Sequence, residues 1–329
     1  MKKNILVTGG CGFIGSHIVE ELLNDDKVNV IVLDNLVSGK KSNINFKNKR
    51  VKFVKIDISK NSNKFNRLFK NINTVFHLAA LADIVPSINN PKLYYSTNVT
   101  GTLNVLDACV KNKVKKVVYA ASASSYGLPT KFPTDEKSKI SLMYPYALTK
   151  KLGEDLLMHW GTVYKLNVTS LRLFNVYGTR SRTSGAYGAV FGVFLAQKLN
   201  NKPLTIVGNG KQTRDFIYVK DVAKAFIKAS KLKKSNEIIN IGSGKETSVN
   251  YIANLISKKR NFIPKRPGEP DRSKADINKA KKVLNWKPTV AVKEGVGVML
   301  ENINNWRSAP VWNKKSISKA TEVWFKYLK

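Results

Sequence analysis

The 329-residue sequence has only two cysteines, Cys11 and Cys109, and three histidines. The cysteines have no metal-ligand spacing and make no disulfide framework. No metal is therefore expected, and the cytoplasm is the default compartment. No apolar run reaches the roughly 18 residues needed to cross a bilayer. The opening Met1-Lys2-Lys3-Asn4 runs straight into the strand-like Ile5-Leu6-Val7, without the apolar region and cleavage site of a secretory signal. No internal repeat or low-complexity linker is present. Acidic residues are also scarce, with 22 Asp and Glu against 57 Lys and Arg, a net charge of +35. Such a field attracts phosphorylated ligands, nucleic acid and anionic membranes. The lysines are scattered, and no aromatic-interleaved basic patch or RNA-binding motif appears. A specific nucleic-acid partner is therefore not expected. A basic surface that helps draw in a diphosphate is.

What is present is an alternation of strand and helix signals. Strands are expected at residues 5–8, 29–33, 51–56, 74–77, 114–121 and 167–174, with helices at 14–24, 99–110 and 144–165. Apolar strands alternating with helices imply a doubly wound parallel sheet, covered on both faces. The last third is more mixed. It has a Gly-Asn-Gly turn at residues 208–210, a helix at 219–231, a short strand at 238–241 and a Pro- and Arg-rich loop at 263–272. Helices at 293–306 and 316–327 close it. The expected fold class is α/β: a Rossmann sheet in residues 1–175, with sheet elements returning near 210–245, and a small α/β substrate lobe in residues 176–329.

The first strand enters Gly9-Gly10-Cys11-Gly12-Phe13-Ile14-Gly15, and a helix leaves it. Glycines at Gly9, Gly12 and Gly15 permit a tight turn and close approach of a pyrophosphate. The helix N-terminus then offers free N–H groups and a positive dipole end. Asp34 ends the second strand, where a carboxylate accepts from the adenosine ribose hydroxyls and repels a 2′-phosphate. That selects NAD over NADP. Asp57 and Ile58 end the third strand, where an adenine edge fits. His77-Leu78-Ala79-Ala80 ends the fourth with small residues, which suits a chain passing close to the cofactor. His77 itself reads equally well as a packed strand residue.

Tyr146-Ala147-Leu148-Thr149-Lys150 opens the long helix, so Tyr146 and Lys150 share a face. A tyrosine at its usual pKa of about 10 is a poor base. A nearby ammonium and a cationic nicotinamide lower that pKa. Tyr146 is then suited to exchange a proton with a substrate hydroxyl, with Lys150 also holding the nicotinamide ribose. The run Ser122-Ala123-Ser124-Ser125-Tyr126-Gly127 leaves hydroxyls at the carboxyl edge of the sheet, where ligands bind. Ser122 is the candidate for bonding the reacting oxygen, and Ser124 for reaching the same sugar.

These motifs, together with Asp34-Asn35-Leu36, Asn98-Val99-Thr100-Gly101-Thr102, Leu171-Arg172-Leu173-Phe174-Asn175-Val176-Tyr177-Gly178, Gln212-Thr213-Arg214-Asp215-Phe216 and Arg266-Pro267-Gly268-Glu269, resemble the extended short-chain dehydrogenase/reductase family, specifically its nucleotide-sugar epimerases. The resemblance covers almost the whole chain. It implies NAD held by Gly9, Gly12, Phe13, Ile14, Gly15, Asp34, Asn35, Asp57, Ile58, Leu78, Ala79, Ala80, Asn98, Tyr146 and Lys150. It implies a catalytic set of Ser122, Tyr146 and Lys150. Tyr146 would deprotonate the sugar 4-hydroxyl, the C4 hydride would pass to NAD, and the rotated 4-keto sugar would take it back on its other face. A UDP-sugar substrate would be met by Ser122, Ser124 and Asn175, by Ala189 and Val190 along the uracil, and by Phe194 stacked on that base. Arg214 and Arg266 would hold the diphosphate, Glu269 the ribose hydroxyls. A homodimer through a four-helix interface of helices 99–110 and 144–165 is also implied.

Departures narrow the reaction. Dehydratases of this family carry an Asp-Glu pair before the Tyr-Gly, and decarboxylating relatives keep a Glu there. Here Ser124-Ser125 precede Tyr126-Gly127. Ser273 stands where epimerases restricted to non-acetylated sugars have a bulky tyrosine, which implies acceptance of an N-acetylated hexose. A keto-sugar nucleotide reductase or a UDP-glucuronate epimerase would use the same machinery. A binder of anionic surfaces with no catalysis is the remote alternative, and intact Tyr146 and Lys150 argue against it.

Overall fold

Seven parallel strands form one sheet in this computed structural model, which describes residues 3–181 and 190–328. From one edge the order is Glu237–Ile241, Asn167–Leu173, Lys116–Ser122, Thr74–His77, Lys3–Thr8, Val28–Asp34 and Val51–Lys55. The order reverses between Lys3–Thr8 and Thr74–His77, and a crevice opens outside the carboxyl ends of the strands at such a switch point. Leu6, Val7, Val75, Phe76, Val117 and Val118 are fully buried, as a sheet covered on both faces requires.

One apolar cluster covers one face of the sheet. In it helix Phe13–Leu22 packs against helix Val219–Ser230 through Ile18, Val19, Leu22, Val222 and Phe226. The opposite face is covered by helices Gly101–Lys111 and Pro145–Val163, with Phe65, Phe69, Leu106 and Leu157 in its core. A further cluster lies in the last third, built on helices Val190–Leu199 and Val249–Ile256 and on the strand pair Leu204–Val207 with Arg260–Ile263.

Three details differ from the sequence reading. The helix expected at 99–110 begins as a wide π-type turn, Ser96–Thr100, and regular helix runs from Gly101 to Lys111. The helix expected at 293–306 stops at Glu301, and Ile303–Trp306 follows as a tight turn. The closing helix is two helices, Lys314–Ala320 and Glu322–Tyr327. Thr321 breaks it, its hydroxyl donating back to the Ile317 carbonyl at 2.8 Å.

Candidate active site

The glycine turn lies at the switch point. Gly9 has φ +68°, and a Cβ there would stand 2.7 Å from the Ala79 nitrogen. A Cβ on Gly15 would overlap the Gly9 carbonyl oxygen. Both positions need glycine for steric reasons. Gly12 caps helix Phe13–Leu22 without a side-chain bond. No side chain therefore competes for the opening amides around Phe13 and Ile14, a setting for an anion.

Asp34 is 7% exposed beside the turn. One carboxylate oxygen accepts from the Cys11 amide (2.9 Å) and the other from the Leu36 amide (2.8 Å). Burial raises its pKa, and these two amides oppose the rise. Each oxygen retains a lone pair for a hydroxyl. The Asn35 side-chain oxygen, Oδ1, accepts the Val37 amide at 3.1 Å. Cys11 is fully buried, and burial pushes its thiol up to about 12, so it is unreactive. Asp57 uses one oxygen to hold the Ser59 amide (2.9 Å) and hydroxyl (2.8 Å). The Ile58 side chain is core, directly under Gly101.

His77 is fully buried, with Nδ1 2.7 Å from Thr8 Oγ1 and Nε2 2.9 Å from Thr102 Oγ1. The Thr8 hydroxyl accepts the Leu78 and Ala79 amides, both at 3.2 Å, so it donates to Nδ1. The Thr102 hydroxyl donates to the Asn98 carbonyl at 2.6 Å, so it accepts from Nε2–H. The ring is neutral, its pKa lowered to about 3 by burial and by the Lys150 charge. Packing is thus its structural role, and it ties Leu78 and Ala79 to the first strand; Ala80 follows, half-buried.

The network continues to the long helix. Asn98 donates from Nδ2 to the Leu81 carbonyl (3.0 Å) and to Thr149 Oγ1 (3.0 Å). Thr149 donates to the Tyr146 carbonyl at 3.0 Å. The Tyr146 amide donates to Ser87 Oγ at 3.1 Å, which fixes the start of the helix. Burial raises the Tyr146 pKa, and a hydrogen bond with the Ser122 side chain works against that. Lys150 Nζ sits over the Tyr119 ring, 4.1 Å from its centroid, and burial lowers its own pKa to about 7, with Glu154 opposing. Ser122 Oγ also caps the turn by accepting the Ser124 amide at 3.1 Å.

Opposite this group stand two arginines on one carboxylate. Arg214 Nη2 is 2.9 Å from Glu269 Oε1, and Arg266 Nε is 3.4 Å from Oε2. Asn175 is exposed at the start of the short strand Asn175–Tyr177, its amide bonded to the Asp215 carbonyl at 3.1 Å. Val190 opens helix Val190–Leu199 and is half-buried, and Ala189 lies outside the described residues. Phe194 is 1% exposed inside the apolar cluster of the last third. Its ring faces protein on all sides, so the expected stacking on a base is not what this structure shows. Ser273 is half-buried between the Arg272–Glu246 ion pair and the Ala275 amide held by Asp215.

Several residues at the site were given no role in the sequence reading. Glu154 sits one helical turn past Lys150 and is 1% exposed, with its carboxylate on Arg172 and on the Ser170 hydroxyl (2.8 Å). The Arg172 guanidinium also donates to the Tyr126 hydroxyl at 2.9 Å. A carboxylate at the i+4 position on the buried face of the Tyr146–Lys150 helix was the available signal. Asp215 is fully buried and accepts the Ser243, Gly244 and Ala275 amides, clamping the turn next to Arg214. Among the described residues no group of three or more His, Cys, Asp or Glu is arranged to hold a metal, and no helix is long and apolar enough to cross a membrane.

Residues 5–242 match the NAD dependent epimerase/dehydratase family. The chain belongs to that family. It is 41% identical over 309 residues to a putative UDP-glucose 4-epimerase of Methanocaldococcus jannaschii, covering 92% of this chain and 97% of that protein. Among solved structures it is similar to the UDP-glucose 4-epimerase of Thermotoga maritima with UDP-glucose. That match has a TM-score of 0.86 and 36% identity, over 92% of this chain and 98% of the other. It is also similar to the UDP-N-acetylglucosamine 4-epimerase of Methanobrevibacter ruminantium in complex with UDP-N-acetylmuramic acid. There the TM-score is 0.85 and the identity 35%, over 92% of this chain and 100% of the other. The doubly wound Rossmann sheet expected from the sequence is the fold of this family.

Proposed function

We propose that the protein is an NAD-dependent 4-epimerase of a UDP-hexose, working through a transient 4-keto sugar. The observation that carries this reading is buried Tyr146, with Ser122 acting on its phenol and Lys150 one helical turn on, beside a turn that only glycine can build. The turn suits a dinucleotide: a side chain at Gly9 or Gly15 would fill it, the following helix start has no side-chain cap, and Asp34 presents a carboxylate for ribose hydroxyls. When bound, NAD supplies a hydride acceptor that becomes the donor for the return step.

The chain's own residues do the rest. Ser122 bonds the sugar 4-oxygen, and Tyr146 takes its proton and later returns it. The phenol is raised by burial, so its base form needs positive charge nearby, which Lys150 supplies when protonated. Arg214 and Arg266 hold the diphosphate, each guanidinium suited to paired oxyanion contacts. Glu269 orients both and meets the ribose hydroxyls. With the nucleotide diphosphate held firmly and the sugar held loosely, the 4-keto sugar is free to turn over between the two hydride transfers. Asn175 and Val190 complete the nucleotide side. In this reading residues 1–175 hold mainly the dinucleotide and 176–329 mainly the substrate.

Dehydration and decarboxylation lack their acid and base. Position 125 is a 2%-exposed serine whose hydroxyl is engaged with the Ser122 carbonyl at 2.9 Å. The small Ser273 supports acceptance of N-acetylated hexoses. A homodimer is supported by the exposed Leu103 and Leu148 on helices Gly101–Lys111 and Pro145–Val163, 37% and 43% accessible. A cytoplasmic place, where UDP-sugars are made, completes the reading; both cysteines are free and buried.

The test is proton NMR of purified protein with UDP-glucose, UDP-N-acetylglucosamine and UDP-glucuronate in turn, without added cofactor. The reading expects 4-epimers of at least one substrate at constant total sugar, UDP-N-acetylglucosamine among those accepted. Stoichiometric consumption of added NADH would make the protein a reductase. Turnover of UDP-glucose alone would remove the role given to Ser273.

A further inference from the structure

Ser273 lies in a span that is held at both ends. On one side Arg272 makes a paired bond to Glu246, Nε to Oε1 at 2.9 Å and Nη2 to Oε2 at 2.8 Å. The Phe132 ring lies against the same guanidinium, its centroid 4.6 Å from the guanidinium carbon. On the other side the Thr134 amide donates to the Lys274 carbonyl at 2.8 Å. The Ala275 amide donates to Asp215 Oδ2 at 2.9 Å. Only Ser273 and Lys274 stand between Arg272 and Ala275.

The two carboxylates belong to one small framework. Strands Thr213–Arg214 and Thr247–Ser248 pair antiparallel, with Thr247 opposite Arg214. Glu246 directly precedes the second strand, and its Oε1 also accepts the Thr213 hydroxyl at 2.8 Å. Asp215 directly follows the first strand and accepts the Ser243 and Gly244 amides. The Ser273 span is therefore fastened to the same pair of strands that carries Arg214. The Arg272 side chain is 55% exposed, and an exposed ion pair adds little to stability. Paired guanidinium–carboxylate bonds instead fix geometry. Hydrogen bonding to Arg272 holds the Glu246 pKa down at about 2, so the pair stays charged well into acid.

We propose that Glu246 is a positioning residue that sets sugar specificity, by holding Ser273 where it leaves room for an acetamido group. The proposal rests on the UDP-sugar reading above and on the place given there to Ser273. A small side chain does not keep a space open by itself, because a loose backbone lets it move into that space. A group that fills a space is sensitive to its walls, and a misplacement of about 1 Å can cost a hundredfold in rate. A 2-hydroxyl is smaller than an acetamido group and makes less demand on the same wall.

The experiment compares Glu246→Gln, Arg272→Gln and the double variant with the unmodified protein. Glu246→Gln keeps the shape of the side chain and removes its charge. In each single variant kcat/KM for UDP-N-acetylglucosamine falls about tenfold, mostly through KM. Turnover of UDP-glucose changes less than about twofold. The double variant loses no more than either single one, as two halves of one contact require. UDP affinity by calorimetry, NAD content and the urea midpoint stay as in the unmodified protein. Ser273→Tyr, which fills the space directly, removes turnover of UDP-N-acetylglucosamine. Unchanged kcat/KM for that sugar in Glu246→Gln overturns the proposal. So does an equal loss for UDP-glucose or for UDP, which would mark a general disturbance of the fold. Turnover of neither sugar by the unmodified protein removes the UDP-sugar reading and this proposal with it. If Ser273→Tyr still accepts UDP-N-acetylglucosamine, the Ser273 reading fails and takes this proposal with it. If Ser273→Tyr stops that turnover and Glu246→Gln does not slow it, only this proposal fails.

Discussion

Glu154 and Arg172 form a buried ion pair, Oε1 to Nη2 2.6 Å, with side chains 1% and 4% exposed. Glu154 is also the carboxylate nearest in sequence to Lys150 on the same helix face, and its field raises the lysine's pKa against the effect of burial. One side chain thus serves both the fold and the charge state of the site.

Two outcomes follow for Glu154. Glu154→Leu strands a buried guanidinium and costs about 3–5 kcal/mol, the usual penalty for breaking one half of such a pair. Urea unfolding measures it. Glu154→Gln keeps hydrogen-bonding capacity and removes the charge. Lys150, now near 7, then loses its proton at lower pH. If the charged lysine is what supports the phenolate, the fall of kcat at rising pH begins earlier in Glu154→Gln. An unshifted profile would show that Lys150 acts through its position and not its charge.

Tyr146→Phe removes the oxygen that the proposed reaction uses for proton transfer. The expected loss of kcat is about a hundred- to ten-thousandfold, the range of a general acid–base group. UDP affinity and bound NAD stay as in the unmodified protein. Retention of more than a tenth of kcat would move the proton-transfer role to another group.

Gly15→Ala puts a methyl group on the Gly9 carbonyl. The turn must open and the helix start must move, which removes the proposed seat of the pyrophosphate. NAD released on acid denaturation should fall from near one per chain to a small fraction. An equal NAD content would mean that the turn does not hold the cofactor.

Acid stability depends on two buried histidines. Burial lowers His77 to about 3 and His17 to about 4. Both are near 6.5 in the unfolded chain. The native state binds fewer protons there, so the stability they contribute is complete above about pH 6.5 and is lost as pH falls toward the native values. The urea midpoint should drop between pH 7.5 and 5, and His77→Asn should flatten that drop. Equal midpoints at both pH values would contradict a neutral, threonine-bridged His77.

The sheet was legible because its central strands are mostly apolar and separated by helical periodicity; Lys3–Thr8, Thr74–His77 and Lys116–Ser122 come within two residues of their expected bounds. The glycine turn and the helix that carries both Tyr146 and Lys150 were legible because they depend on spacing along one segment. What depends on contacts between distant segments was not. His77 could not be separated from a ligand role until Thr8 and Thr102 were seen on either side of it. Phe194 matched a family position by sequence, yet helix Val190–Leu199 turns its ring into the core. Glu246 and Arg272 stand 26 residues apart, so the pair beside Ser273 shows only in the fold.

In the proposed reaction one hydride leaves C4 and returns to it without exchange. UDP-hexose carrying deuterium at C4, incubated with the protein in ordinary water, tests this by NMR and mass spectrometry. The expected product is the 4-epimer with the deuterium still at C4, and no label in added free NAD. Loss of the label to solvent would mean that C4 is deprotonated, and would rule out the hydride route.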